Sequence, residues 1–254
     1  MTSPLAVAEA DLTRDAFLGG RVMAWQPRRG YRAAMDPVLL AASIEARAGD
    51  SVLELGCGVG VASLCLAARV PGLRLTGVER QADYADLARR NAGDAMQVVT
   101  ADLTDLPADL RQLTFDHVIA NPPYYASGGG TGARDPGREA ALREETALAD
   151  WIAVARRRLR PRGWLTLIHA ADRLPETLAA LAHGFGAIAI RPLAPRRNRP
   201  ANRVLIRARK DARTPATLLA PLVLHEGAVH VSDGDDHSAI ARAILRDAAP
   251  LTWS

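Results

Sequence analysis

The sequence is almost without lysine and has little cysteine. Of its 32 basic residues only Lys210 is lysine; the rest are arginine. Two cysteines, Cys57 and Cys65, are too few for a disulfide framework and lack the spacing of a metal site, which points to reduced thiols. No apolar run approaches the ~20 residues needed to span a bilayer. Met1 to Asp15 is mixed and acidic, without a basic region leading into an apolar core, so no signal peptide is expected. These absences point to a cytoplasmic protein with no membrane partner. Neither His117 nor His225 has a metal-like partner spacing, and no metal is expected.

What is present fits one α/β domain. The chain has 254 residues, 48% of them hydrophobic, with a net charge of +4. Residues 1–20 read as a flexible start and 21–254 as a single domain: an extension (21–50), a core (51–210), and a C-terminal hairpin and helix (211–254). Short apolar strands at Ser51–Leu55, Arg74–Val78, Gln97–Val99, Phe115–Ala120 and Trp164–Ile168 alternate with helical stretches. Two further strands, Ala187–Arg191 and Arg203–Ala208, make seven. The alternation predicts a doubly wound, mostly parallel sheet. Asp36-Pro37 reads as a helix start, Asp as N-cap and Pro in the first turn. Residues 126–137 read as mobile, Arg138 to Glu145 as helical, and Leu222–Glu226 with Val229–Val231 as a hairpin.

The organising stretch is Asp116 to Tyr125, ending in Asn121-Pro122-Pro123-Tyr124. Two prolines lack N–H donors and end a central strand. The rigid turn that results presents an amide, a backbone carbonyl and an aromatic ring. A planar aromatic amine needs that set: acceptors for its N–H groups and a ring to stack on.

Upstream, Gly56-Cys57-Gly58-Val59-Gly60 follows a strand and opens a helix. Such loops let a ligand approach backbone N–H groups. The spacing G-x-G-x-G, with Glu54 before it, differs from the dinucleotide pattern G-x-G-x-x-G. A buried acid there repels a pyrophosphate and suits a ligand with a cationic amino or sulfonium end. Glu79 ends the second strand, where an acid accepts from ribose hydroxyls, and Asp102 follows the third, where an adenine edge can be read.

This order of acid, glycine loop, acid, acid and Asn-Pro-Pro-Tyr resembles the class I S-adenosylmethionine-dependent methyltransferases that methylate amines. The segment Gln26 to Leu40 narrows the resemblance to bacterial valine-tRNA adenine-N6 methyltransferases, which modify the adenosine on the 3′ side of the anticodon. The resemblance implies a Rossmann-like fold with a short N-terminal helical extension and S-adenosyl-L-methionine as cofactor. It implies methionine near Glu54, Gly56, Gly58 and Gly60, ribose on Glu79 and adenine beside Asp102. It implies Asn121 and Pro122 as acceptors for the target amine, Tyr124 as the stacking ring, and RNA, tRNA in particular, as partner. Arg28, Arg29, Arg32, Arg196, Arg197 and Arg199, with Arg203, lie on loops and suit phosphate contacts. The run Arg156 to Arg162 reads as an ordinary helix end. A protein glutamine-amide methyltransferase and a ribosomal-RNA guanine-N2 methyltransferase remain alternatives; a non-catalytic binding scaffold would lack Asn121 or the glycine loop.

Overall fold

The computed structural model describes residues 9–126, 143–144, 146–227 and 236–253. Its centre is two strands, β3 (Ser51–Leu55) and β6 (Phe115–Ala120). All six residues of β6 and four of the five in β3 are buried. Strands apolar on both faces belong in the middle of a parallel sheet covered by helices. They pair with each other, and β4 (Arg74–Glu79) and β5 (Gln97–Thr100) extend the sheet beyond β3, all parallel. On the other side β9 (Leu159–Ala170) pairs parallel to β6. Beyond it β11 (Arg203–Lys210) runs antiparallel to β9 on one side and to β10 (Phe185–Ala194) on the other.

These are the seven expected strands, in the order β5-β4-β3-β6-β9-β11-β10. Two-residue strands β12 (Thr217–Leu218) and β13 (Leu222–Val223) both pair with β10, giving this sheet nine strands among the described residues. Helices cover both faces. On one side pack α1 (Met35–Ala42), α2 (Val61–Arg69), α3 (Ala82–Ala92) and α7 (Ala239–Asp247). On the other pack α4 (Ala108–Gln112), α5 (Leu148–Arg158) and α6 (Leu174–Leu181).

Several expectations are corrected. Within the start read as flexible, β1 (Leu12–Phe17) pairs antiparallel with β2 (Val22–Pro27); residues 1–8 lie outside the described residues. This ribbon is pinned to α3 by Asn91, whose amide exchanges hydrogen bonds with the Trp25 backbone and donates to the Val59 carbonyl. Bidentate backbone contact from a distant side chain leaves no signal in the local pattern. Leu222–Val223, one arm of the expected C-terminal hairpin, form β13 parallel to β10, and His225 makes an antiparallel bridge to His237; the other arm, Val229–Val231, lies outside the described residues. Arg143–Glu144, expected in a helix, form a short strand (β8) parallel to Tyr125–Ala126 (β7). The rest of the stretch read as mobile or helical, 127–142 and 145, lies outside the described residues.

Asp36 is the most consequential correction. Helix α1 starts at Met35, so Asp36 is inside its first turn and makes no cap. Its carboxylate instead takes up tertiary partners at the functional cleft.

Candidate functional site

A cleft of ≈ 530 Å³ opens at the C-terminal ends of β3, β4 and β6, roofed by the segment from Gly30 to Pro37. In an open parallel sheet this is where ligands bind, because loops diverge there and helix N-termini point inward. Each lining element arrives for a local reason. Gly58 has φ +53°, and a side chain there would meet the Tyr31 ring at 3.6 Å. Gly56 has φ +63°, and a Cβ would lie 2.6 Å from the Trp151 indole. The first glycine is therefore demanded by packing from α5 beneath the loop as well as by its turn. Gly60 begins α2 in a left-handed conformation and packs on Met96 and Ala88; it does not line the cleft.

The three acids have different surroundings. Glu54 is 3% exposed and accepts from both the backbone N–H and the hydroxyl of Ser63. Burial outweighs those bonds and, with Glu79 nearby, pushes its carboxyl up to about 7. A cationic ligand would return it to its charged form. Glu79 accepts from the Gly58 N–H at 2.9 Å and the Gln81 N–H at 2.9 Å, tying the glycine loop to the end of β4. Asp102 accepts from the Thr104 N–H and hydroxyl, which hold its carboxyl below the usual range. It lines the cleft together with Leu103.

At the opposite lip, Asn121 donates from Nδ2 to the Tyr31 hydroxyl at 3.4 Å. Its Oδ1 is shielded from solvent and has no partner among the described residues. An unpaired buried acceptor costs on the order of 1–3 kcal/mol, so its presence beside a cleft calls for a donor from outside. Pro122 and Tyr124 line the same lip. The Tyr124 hydroxyl donates to Asp36, its phenol pushed upward by burial and by that carboxylate.

The arginines divide. Arg32 and Arg203 line the cleft, and both are ion-paired, to Asp15 and Asp36 respectively. Arg28, Arg29, Arg197 and Arg199 are exposed but outside the lining. Arg196 is engaged: its side chain is 13% exposed, pairs with Asp236 and donates to the Glu226 carbonyl. Arg158 donates to the carbonyl of Leu110 and to that of Arg111, closing the end of α4. Sequence reasoning missed Tyr31, Tyr84, Trp151 and the tertiary role of Asp36. Only Tyr31 had a signal, as an aromatic among the residues leading into α1.

A family model described as the methyltransferase small domain matches residues 35–191, which hold every cleft-lining element from α1 to β10 except the Gly30–Ala34 roof and Arg203. The chain belongs to the methyltransferase small domain family. Among curated members, a tRNA1(Val) (adenine(37)-N6)-methyltransferase of Porphyromonas gingivalis is 34% identical over 57% of this chain and 61% of its own length. The match thus spans less than two thirds of that relative. The protein of the same name from Aeromonas hydrophila is 30% identical over 71% of this chain and 77% of its own. A crystal structure of a predicted O-methyltransferase from Agrobacterium tumefaciens superposes with a TM-score of 0.69 at 26% identity, covering 85% of this chain and 98% of that one.

The cofactor of such methyltransferases, S-adenosylmethionine, fits the groups present. Glu54 can face a cationic end, Glu79 can accept from ribose hydroxyls, and the glycine loop admits close approach at Gly58. Asp102 and Leu103 can border an adenine.

Proposed function

We propose that this methyltransferase methylates the exocyclic N6 amine of an adenine in RNA, the adenosine at position 37 of a tRNA. The observation that carries the reading is Asn121 Oδ1, buried and without a partner among the described residues. Its sister Nδ2 is held by Tyr31, so the amide is oriented with its acceptor free for an incoming N–H. S-adenosylmethionine supplies an electrophilic methyl group when bound.

An adenine amine is a poor nucleophile because its lone pair is delocalised into the ring. Asn121 Oδ1 and the Pro122 carbonyl accept its two N–H groups and favour a tetrahedral nitrogen. Tyr124 stacks on the base, which is splayed out of its loop. No strong general base is required, since the N–H groups become acidic only as the nitrogen acquires its fourth bond. The contribution of the chain is orientation and preorganised acceptors. Exposed Arg28, Arg29, Arg197 and Arg199 meet phosphates of the anticodon arm. The protein acts in the cytoplasm, where tRNA is found.

The test is methyl transfer from labelled S-adenosylmethionine to unmodified tRNA, with nucleoside analysis. N6-methyladenosine at position 37 is expected. Label appearing on a protein glutamine, with none in RNA, overturns the reading.

A further inference from the structure

Tyr124 is held by residues that lie far from it in sequence. Its hydroxyl donates to Asp36 Oδ2, and Arg203 Nε donates to the same oxygen at 2.6 Å. The Arg203 guanidinium lies 5.4 Å from the centre of the Tyr124 ring. The ring also rests against His169, centroids 5.6 Å apart and tilted by 31°. His169 is fully buried, and burial with Arg173 nearby lowers it to about 4, so the imidazole is neutral. Its Nδ1 accepts from the Ala170 N–H at 2.8 Å, which assigns the proton to Nε2.

Three segments therefore converge on one phenol: the first turn of α1, the end of β9 and the first residue of β11. The proline pair restrains the Tyr124 backbone but not its side-chain torsions. A carboxylate on the hydroxyl and a cation beside the ring restrain those.

We propose that Asp36 and Arg203 are positioning residues that hold Tyr124 as a fixed platform for a planar substrate base. This rests on the reading of Tyr124 as the stacking ring. Arg203 also follows directly on the loop bearing Arg197 and Arg199, so the RNA-facing loop and the platform share one anchor. A side chain ordered beforehand spares the substrate that ordering, worth on the order of 10-fold in kcat/KM.

The experiment uses Asp36→Asn, Tyr124→Phe, their double variant and Arg203→Lys in the full chain. With four tyrosines, 3-fluorotyrosine labelling yields a simple fluorine spectrum, in which Tyr124→Phe assigns the Tyr124 line. Asp36→Asn is expected to move that line toward free fluorotyrosine, and Arg203→Lys to move it less. S-adenosylmethionine affinity by calorimetry should stay within about twofold of wild type. On an anticodon stem-loop, Asp36→Asn and Tyr124→Phe should each lower kcat/KM on the order of 10-fold. The double variant should lose no more than either single one, because both remove the same contact. An unmoved Tyr124 line, losses that multiply in the double variant, or an equal loss of cofactor affinity each overturn the proposal. If wild type methylates no RNA, the adenine reading fails, and the fluorine comparison still decides whether Asp36 holds Tyr124.

Discussion

Glu54 is a buried acid that the fold holds at a cost, and that cost can be measured. Burial raises its carboxyl from an ordinary 4.5 to about 7 against the opposing pull of Ser63. Each tenfold in the ionisation constant is worth ~1.4 kcal/mol, so the charged form destabilises the folded chain by roughly 3 kcal/mol relative to the protonated one. The sign follows from proton counts. Between pH 4.5 and 7 the unfolded chain has lost this proton and the folded chain keeps it. Stability from this group is therefore intact below 4.5, falls as pH rises through that window, and is constant above 7. Glu54→Gln keeps the shape and an acceptor for Ser63 but cannot ionise. The variant should gain on wild type by roughly 3 kcal/mol between pH 4 and pH 8, a relative rise of roughly 6–12 °C in Tm for a chain of this size. The assay is thermal unfolding of both proteins, without ligand, at half-unit pH intervals. Taking the difference between them cancels other titrating groups. Parallel Tm profiles would refute the argument. The same variant should bind S-adenosylmethionine more weakly at pH 8, because the cationic end of the cofactor then meets no charge.

Asn121→Ala should lower kcat by about 100- to 1000-fold with little change in cofactor affinity, since it removes an acceptor used most strongly in the transition state. Asn121→Asp keeps an acceptor but adds a charge beside a cationic ligand, and should fall between alanine and wild type; single-turnover methylation orders the three. Glu79→Ala should weaken S-adenosylmethionine binding by roughly 1.5–3 kcal/mol per lost bond and also free the Gly58 N–H, so calorimetry and Tm should both respond. Arg197→Ala should reduce the salt slope of RNA binding by about one, whereas Arg196→Ala should act on stability through its pair with Asp236; equal slopes for the two would contradict this division. Gly56→Ala forces a Cβ to 2.6 Å from Trp151 at positive φ, and should cost several degrees in Tm along with cofactor affinity; an unchanged Tm would remove the packing argument.

Short-range chemistry explains what could be read from the sequence alone. Proline at 122 and 123 ends β6 whatever surrounds it, because the missing N–H groups are a property of the residues. Glycine at 56, 58 and 60 marks a tight strand-to-helix turn for the same kind of reason, and strand runs apolar on both faces declare a covered parallel sheet. Those features placed Glu54, Glu79, Asp102 and Asn121 at one edge before any contact was known, and the cleft gathers all four. Tertiary structure alone decided how these groups are partnered. Asp36 looked like a helix cap because an Asp-Pro pair has that local meaning; its real partners, Tyr124 and Arg203, are 88 and 167 residues away. Asn121 could be named as an acceptor, but that Tyr31 would hold its Nδ2 and leave Oδ1 alone depends on the roof folding over the sheet. Arg196 and Arg197 are neighbours with the same chemistry, yet one is ion-paired and the other exposed, because Asp236 arrives from the C-terminal segment. Backbone preferences are local and leave a mark in the residues that carry them. The partner of a buried charge is chosen by which chain segments meet, and nothing in the neighbouring sequence records that choice.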